Sequence, residues 1–168
     1  MKYLGSKNRI SKYLLPIILE YKTQEMTWVE PFVGGGNMID KVQGKRLGAD
    51  INEYVISLLN QMSKPDFKAL KIDEEKYNDI KQYKNKYPQW VVGYAGTQLS
   101  FGATWFGSYR RDKKGLRNYS DEAIRNVEKQ SKNIQGVEFI HSSYDELDIP
   151  KNSIRMTTIT RYSSCQQK

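Results

Sequence analysis

The sequence predicts an α/β fold, a parallel sheet flanked by helices, with an irregular insertion between its halves. Three observations predict it. A β-friendly run, Met26 to Val29, enters the bend Glu30-Pro31-Phe32-Val33-Gly34-Gly35-Gly36. A second strand-like run, Arg46 to Asp50, ends in a carboxylate fourteen residues after Gly36. Helical patterns then separate these strands from a third strand-like run, Val137 to His141.

Before the bend, Ser6 is positioned to cap a helix over residues 7 to 15. Ile10, Tyr13, Leu14, Ile17, Ile18 and Tyr21 repeat at helical spacing as its apolar stripe, and Pro16 kinks or restarts the helix. At the bend, three successive glycines remove every Cβ and permit positive φ, so a ligand can approach bare backbone. A short helix is expected immediately behind, ending near Gln43-Gly44, with its N–H groups facing that ligand. Asp50 stands where an acid at a strand tip grips a ribose diol. Asn52 caps a following helix that carries Val55, Ile56, Leu58, Leu59 and Met62.

Beyond Lys64-Pro65 the character changes. Residues 73 to 87 read as a charged surface helix. From Trp90 to Tyr119 periodicity disappears, and glycines alternate with large aromatics. Arg110 to Arg117 carries five positive charges against one negative. So many aromatics argue against disorder, and long irregular segments in compact domains tend to be functional. Ser120 then caps a helix with acids in its first turn and lysines near its end, the polarity that the helix dipole favours. Ile154 to Thr160 reads as a fourth strand, followed by a polar tail.

A chain of 168 residues suits one domain with a small insertion. Its net charge of +8 fits a polyanion partner. A single cysteine, Cys165, excludes a disulfide framework or a cysteine zinc site, and with only one histidine no metal is expected. There is no 18-residue apolar run and no signal segment, so a soluble, cytoplasmic, reducing-compartment protein without a membrane partner is expected.

Tyr3-Leu4-Gly5-Ser6-Lys7 is similar to the aromatic-x-Gly-Gly-Lys opening of the phage- and bacterium-type DNA adenine-N6 methyltransferases (D12 class, Dam-like), with serine in place of the second glycine. Glu30 to Gly36 resembles that family's cofactor loop. Asp50 resembles its ribose-binding acid, and Gln98 to Tyr119 its DNA-recognition insertion. The resemblance runs from Lys2 to about Ser153 and implies a partial Rossmann-like, S-adenosylmethionine-dependent fold. Residues 1–64 and 134–160 would form the cofactor domain, 65–133 the DNA-recognition insertion, and 161–168 an off-pattern tail.

The resemblance implies transfer of a methyl group from S-adenosyl-L-methionine to adenine in DNA. Tyr3, Lys7, Glu30, Phe32, Gly34, Gly35, Gly36 and Asp50 would contact the cofactor. Lys7 would meet its carboxylate, while Glu30 either reaches its amino group or holds the loop. Ser143-Tyr144 lies where relatives place an acid-aromatic pair, with Asp145 one residue late, so either Ser143 or Asp145 would meet the adenine. Trp105 and Tyr109 either contact bases or pack the insertion. Arg110, Arg111, Lys113, Lys114 and Arg117 would grip phosphates.

One departure is large. The family's Asp/Asn-Pro-Pro-Tyr/Phe motif belongs at the end of the fourth strand, and this chain has no Pro-Pro at all. Adenine N6 is a poor nucleophile, because its lone pair is shared with the ring. The motif's oxygens would accept its protons and the motif's aromatic would hold the base. Met156-Thr157-Thr158-Ile159 supplies none of this. A truncated coding region with a frame-shifted tail and little or no transfer are expected, so no catalytic residue is assigned. The alternative is a non-catalytic module that binds cofactor or DNA beside another protein.

Overall fold

The computed structural model describes residues 1–112 and 116–157. Strands β1 (Thr27–Glu30), β2 (Arg46–Asp50), β3 (Glu138–His141) and β4 (Ser153–Arg155) form one sheet in the order β3-β2-β1-β4. Every pairing is parallel, with Trp28 opposite Arg46 on one side and Ile154 on the other. This is the expected α/β architecture, a partial Rossmann-like sheet. Strand order steps outward from β1 through β2 to β3, then returns to β4 across β1. Open α/β sheets take ligands at the carboxyl end of such a reversal, and β1 delivers Glu30 and the glycine bend there.

Side chains alternate across the sheet. Trp28 and Phe139 face a large core shared with helices α2 (Glu53–Met62), α4 (Gln89–Gln98) and α5 (Tyr119–Ser131). Val29, Leu47 and Ala49 face the other way, under Leu147 from the segment after β3. The core runs without a break from the sheet into α4, so much of the 65–133 segment packs against the same apolar cluster.

Asn52 caps α2 as expected, accepting from the Tyr54 and Val55 amides. Four local expectations are corrected. The helix before β3 is capped by Asn118, which accepts from Asp121 N, and Ser120 lies inside its first turn. Residues 7 to 15 do not form one capped helix: Ser6 Oγ accepts from Asn8 N in a turn, and α1 spans Ser11–Leu19 with Pro16 inside it. The apolar stripe of α1 divides. Leu14, Leu15 and Ile18 pack inward, whereas Ile10, Tyr13, Ile17 and Tyr21 are exposed. Behind the glycine bend only a single 3-10 turn forms, Ile39–Lys41, because Val42 must be extended to lead into β2. No α-helix opens behind the bend among the described residues.

The charged helix is shorter than expected: α3 spans Glu74–Gln82, and Lys84–Lys86 is a 3-10 turn. The segment without periodicity begins with α4, of which every residue from Val91 to Gln98 is buried. A helix enclosed on all sides has no polar face, so it has no 3.6-residue pattern to read. Gly93 lets it lie on α2, since a Cβ there would come within 2.2 Å of the Tyr54 carbonyl oxygen. The expected fourth strand contracts to β4, with Met156 N still donating to Val29 O at 2.8 Å. Residues 158–160, and the tail with Cys165, lie outside the described residues.

Candidate cofactor cleft and basic groove

The bend is tied to β2 at two points. Val33 N donates to Ala49 O at 2.8 Å, and Gly34 N donates to Asp50 Oδ2 at 3.0 Å. Asp50 Oδ1 accepts from Asn52 N, so one carboxylate orders both the bend and the start of α2. A carboxylate offers about four lone-pair sites. Two are used, and Asp50 remains partly exposed to the cavity.

That cavity is about 360 Å³ and open to solvent. It is lined by Tyr3, Lys7, Glu30, Phe32, Gly34, Gly35 and Asp50, which brings together most of the sequence-predicted cofactor residues. Gly36 turns inward instead, its carbonyl accepting from Gln130. Neither Ser143 nor Asp145 reaches the wall. Ser143 Oγ exchanges hydrogen bonds with Glu146, and Asp145 is exposed. Between them, Tyr144 stacks on Phe32 with ring centroids 5.7 Å apart, making an aromatic edge beside the cavity.

Tyr3 contributes more than a wall. A Cβ on Gly34 would meet its ring at 2.7 Å, and one on Gly35 would meet its Cβ at the same distance. Gly34 also sits at φ 48°, a left-handed conformation that suits glycine. The glycines therefore admit this chain's own tyrosine on one side, with the cavity alongside.

Two glutamines that carry no sequence signal hold the bend from the helices. Gln130 Nε2 on α5 donates to the carbonyls of Gly35 and Gly36 and to Asp40 Oδ2, each at 3.0 Å, while its Oε1 accepts from the Met1 amine. Gln98 on α4 pairs reciprocally with the Lys2 backbone, donating at 2.8 Å and accepting at 2.9 Å. Together they fix the N-terminal segment over the bend. Glutamine in a helix is common, and no local pattern marks these two.

Glu30 is 4% exposed and accepts from Trp28 Nε1 at 2.8 Å. Burial pushes its carboxyl up to about 7, opposed by the indole hydrogen bond and by the positive charge of Lys7. A group poised this way gains its charge when a cation approaches. The Asn37 amide, 7% exposed and at the same cavity, accepts from the Met1 amine but has no acceptor for its own N–H groups among the described residues. Lys7, Glu30, Asp50 and the Asn37 amide thus offer positive, negative and neutral polar groups around one cavity. That set fits a zwitterionic nucleoside.

A family model for D12 class N6 adenine-specific DNA methyltransferases matches residues 3–92. The chain belongs to this family. The match includes Tyr3 to Lys7, the glycine bend and Asp50, and ends within α4. Enzymes of this family generally depend on S-adenosylmethionine, and DNA is their substrate. A search of the curated proteins finds no match.

In the basic segment the structure separates the residues expected to meet DNA. Tyr109 packs on Tyr77 and its hydroxyl donates to Ile72 O at 2.9 Å, so it is engaged within the fold. Trp105 lies against Tyr54, Phe106 and Gly96, keeping one exposed edge. The Arg110 guanidinium lies over Tyr119, 4.2 Å from the ring centroid, and faces Glu122 at 3.6 Å. Arg111 is exposed and pairs with Glu74. Arg117 is exposed, and its backbone N–H donates to Asp112. Lys113 and Lys114 lie outside the described residues.

A second cavity of about 640 Å³ adjoins the first and shares its Tyr3–Ser6 wall. Lys2, Arg9, Arg110 and Arg111 bring positive charge to it, and Phe101 and Tyr119 bring aromatic surface. Among the described residues no cluster of His, Cys, Asp and Glu suits a metal ion, and no helix is long and apolar enough to cross a membrane.

Proposed function

We propose that this chain binds S-adenosylmethionine in the 360 Å³ cleft and DNA across the adjoining basic groove, as the cofactor- and DNA-holding part of an adenine-N6 methyltransferase. One observation carries the reading: the glycine bend and Asp50, sixteen residues apart, close on a single cavity through the Gly34–Asp50 hydrogen bond. When bound, the cofactor supplies a methyl group made electrophilic by its positive sulfur.

The chain's own residues bind and orient. Asp50 accepts from the ribose hydroxyls with its remaining lone pairs. Lys7 meets the carboxylate, and Glu30 meets the ammonium group as it loses its proton. Phe32, backed by Tyr144, covers the adenine ring of the cofactor. The Tyr3–Ser6 segment separates this cleft from the groove, so a base turned into the groove has one thin wall between itself and the cofactor. Arg111 grips phosphates at the groove, and the positive charges of Arg117, Lys113 and Lys114, near it in sequence, serve the same backbone.

No acceptor for the adenine N6 protons stands at the end of β4 among the described residues. β4 runs into Met156-Thr157, where the family's Asp/Asn-Pro-Pro-Tyr/Phe motif belongs. These 168 residues therefore bind without appreciable transfer, as a truncated form of the enzyme or as a binding module for another protein. Calorimetry with S-adenosylmethionine and with a nicotinamide dinucleotide tests the cleft: binding of the first alone is expected, and preference for the second overturns the reading. Labelled-methyl transfer to DNA tests the rest. No transfer is expected until the motif is restored after Arg155, and robust transfer by the unmodified chain refutes the inactive assignment.

A further inference from the structure

Helix α1 carries two apolar faces. Leu14, Leu15, Ile18 and Leu19 pack into the core, while Ile10, Tyr13, Ile17 and Tyr21 face solvent. Exposure along this second stripe runs from 48% at Ile10 to 71% at Tyr21. Ile10 and Glu20, at the two ends of α1, keep helical backbone, so the stripe is continuous over about three turns. A surface helix ordinarily turns polar residues to water. Single exposed apolar residues are common, but four in one row form a patch of the kind that meets a partner.

The charges beside the stripe are arranged symmetrically. Lys12 and Glu20 each lie four residues from Pro16, one on either side, and residues at that spacing share a helix face. Both are exposed, and neither makes an ion pair among the described residues. A two-fold turn near Pro16 sets Lys12 of one copy beside the partner's Glu20, and does so twice. The same turn lays the two apolar rows on each other. Two tyrosines and two isoleucines this exposed present roughly 500 Å² per copy. The pair then hides roughly 1,000 Å², the lower bound of a specific interface.

We propose that the outer face of α1 is a self-association surface, on which a second copy of this chain packs antiparallel. The apolar rows supply the affinity. The Lys12–Glu20 pairs fix direction, because parallel packing would set like charges together. Arg9, which lines the basic groove, directly precedes Ile10, so the pair holds its two grooves close to one axis.

Sedimentation velocity with the full chain, from low to high micromolar concentration, tests this. A monomer–dimer equilibrium with a micromolar midpoint is expected for an interface of this size. Ile17→Lys should weaken it about tenfold or more by placing a charge in the apolar row. The circular dichroism spectrum and the melting temperature of the monomer should not change. Lys12→Glu and Glu20→Lys should each weaken association about tenfold through like-charge contact. An equal mixture of these two variants should associate as the unmodified chain does, because each supplies the charge that the other lacks. A chain that stays monomeric at high micromolar concentration overturns the proposal and leaves the face to a different protein. Association that survives Ile17→Lys also overturns it, and assigns the dimer to another surface such as the open edge of β4. Single variants that mixing does not rescue overturn the antiparallel arrangement.

Discussion

The backbone N–H of Gly34 donates to Asp50 Oδ2 at 3.0 Å, so the acid at the tip of β2 holds the bend that follows β1. One carboxylate therefore has a structural duty and a vacancy for ligand. Asp50→Ala should weaken S-adenosylmethionine binding tenfold or more by calorimetry, the loss of charge-assisted hydrogen bonds worth about 1.5–3 kcal/mol each. It should also lower the melting temperature without ligand. Asp50→Asn should do nearly as badly, because its NH₂ must face one of two backbone donors, Gly34 N or Asn52 N. An Asn variant with full affinity would show that the ribose is held elsewhere.

Glu30 sets a pH dependence. Its carboxyl titrates near 7 in the fold against about 4.5 ordinarily, because burial disfavours the charge. The folded state keeps this proton longer than the unfolded chain, so the stability contribution is fully present below pH 4.5 and is lost as pH rises through 7. The difference is about 3 kcal/mol. Denaturant melts should show this slope in the parent and a flatter profile in Glu30→Gln. Cofactor affinity should run the other way, rising between pH 6 and 8 with a proton released on binding. Calorimetry in buffers of different ionisation enthalpy would detect the release, and none at pH 6 would mean that Glu30 only supports the loop.

Gln130 spends its amide on two glycine carbonyls and Asp40. Gln130→Ala leaves buried acceptors unpaired and should cost about 2 kcal/mol of stability by urea melt. It should also weaken cofactor binding, although Gln130 does not line the cleft. Gln130→Glu should be worse, since its carboxylate would face carbonyl oxygens and Asp40. Unchanged cofactor affinity in both variants would mean that the bend holds its shape without α5.

Gly93→Ala should cost about 3 kcal/mol or more, since overpacking here pushes helix from helix. The new Cβ would lie 2.2 Å from the Tyr54 carbonyl oxygen, and backbone on both sides cannot yield as a flexible side chain can. Circular dichroism and thermal melting would check it. Gly5→Ala, with no atom within 4 Å of its Cβ, is the comparison: its penalty is confined to its φ of 77°.

How much of this was legible depended on whether a feature was local. Turn chemistry, strand runs and the Asn52 cap are written in adjacent residues, and they predicted the sheet, the bend and the carboxylate beside it. α4 was not legible, because its burial on every side erased the alternation that announces a helix. The outward face of α1 was not legible either: Ile10, Tyr13, Ile17 and Tyr21 have the spacing of a core stripe, yet Leu15 lies inward and they do not.

By itself the sequence determined the parallel α/β architecture and, through the resemblance of its bend and of Asp50, the family, because these features lie in residues close together in the chain. Only the tertiary structure decided that Gln98 and Gln130 hold the N-terminal segment over the bend, that Tyr109 packs inward, and that Phe101 stands exposed at the basic groove. Those outcomes join residues as far apart as 129 positions, and contact at that range depends on how helices settle on a sheet.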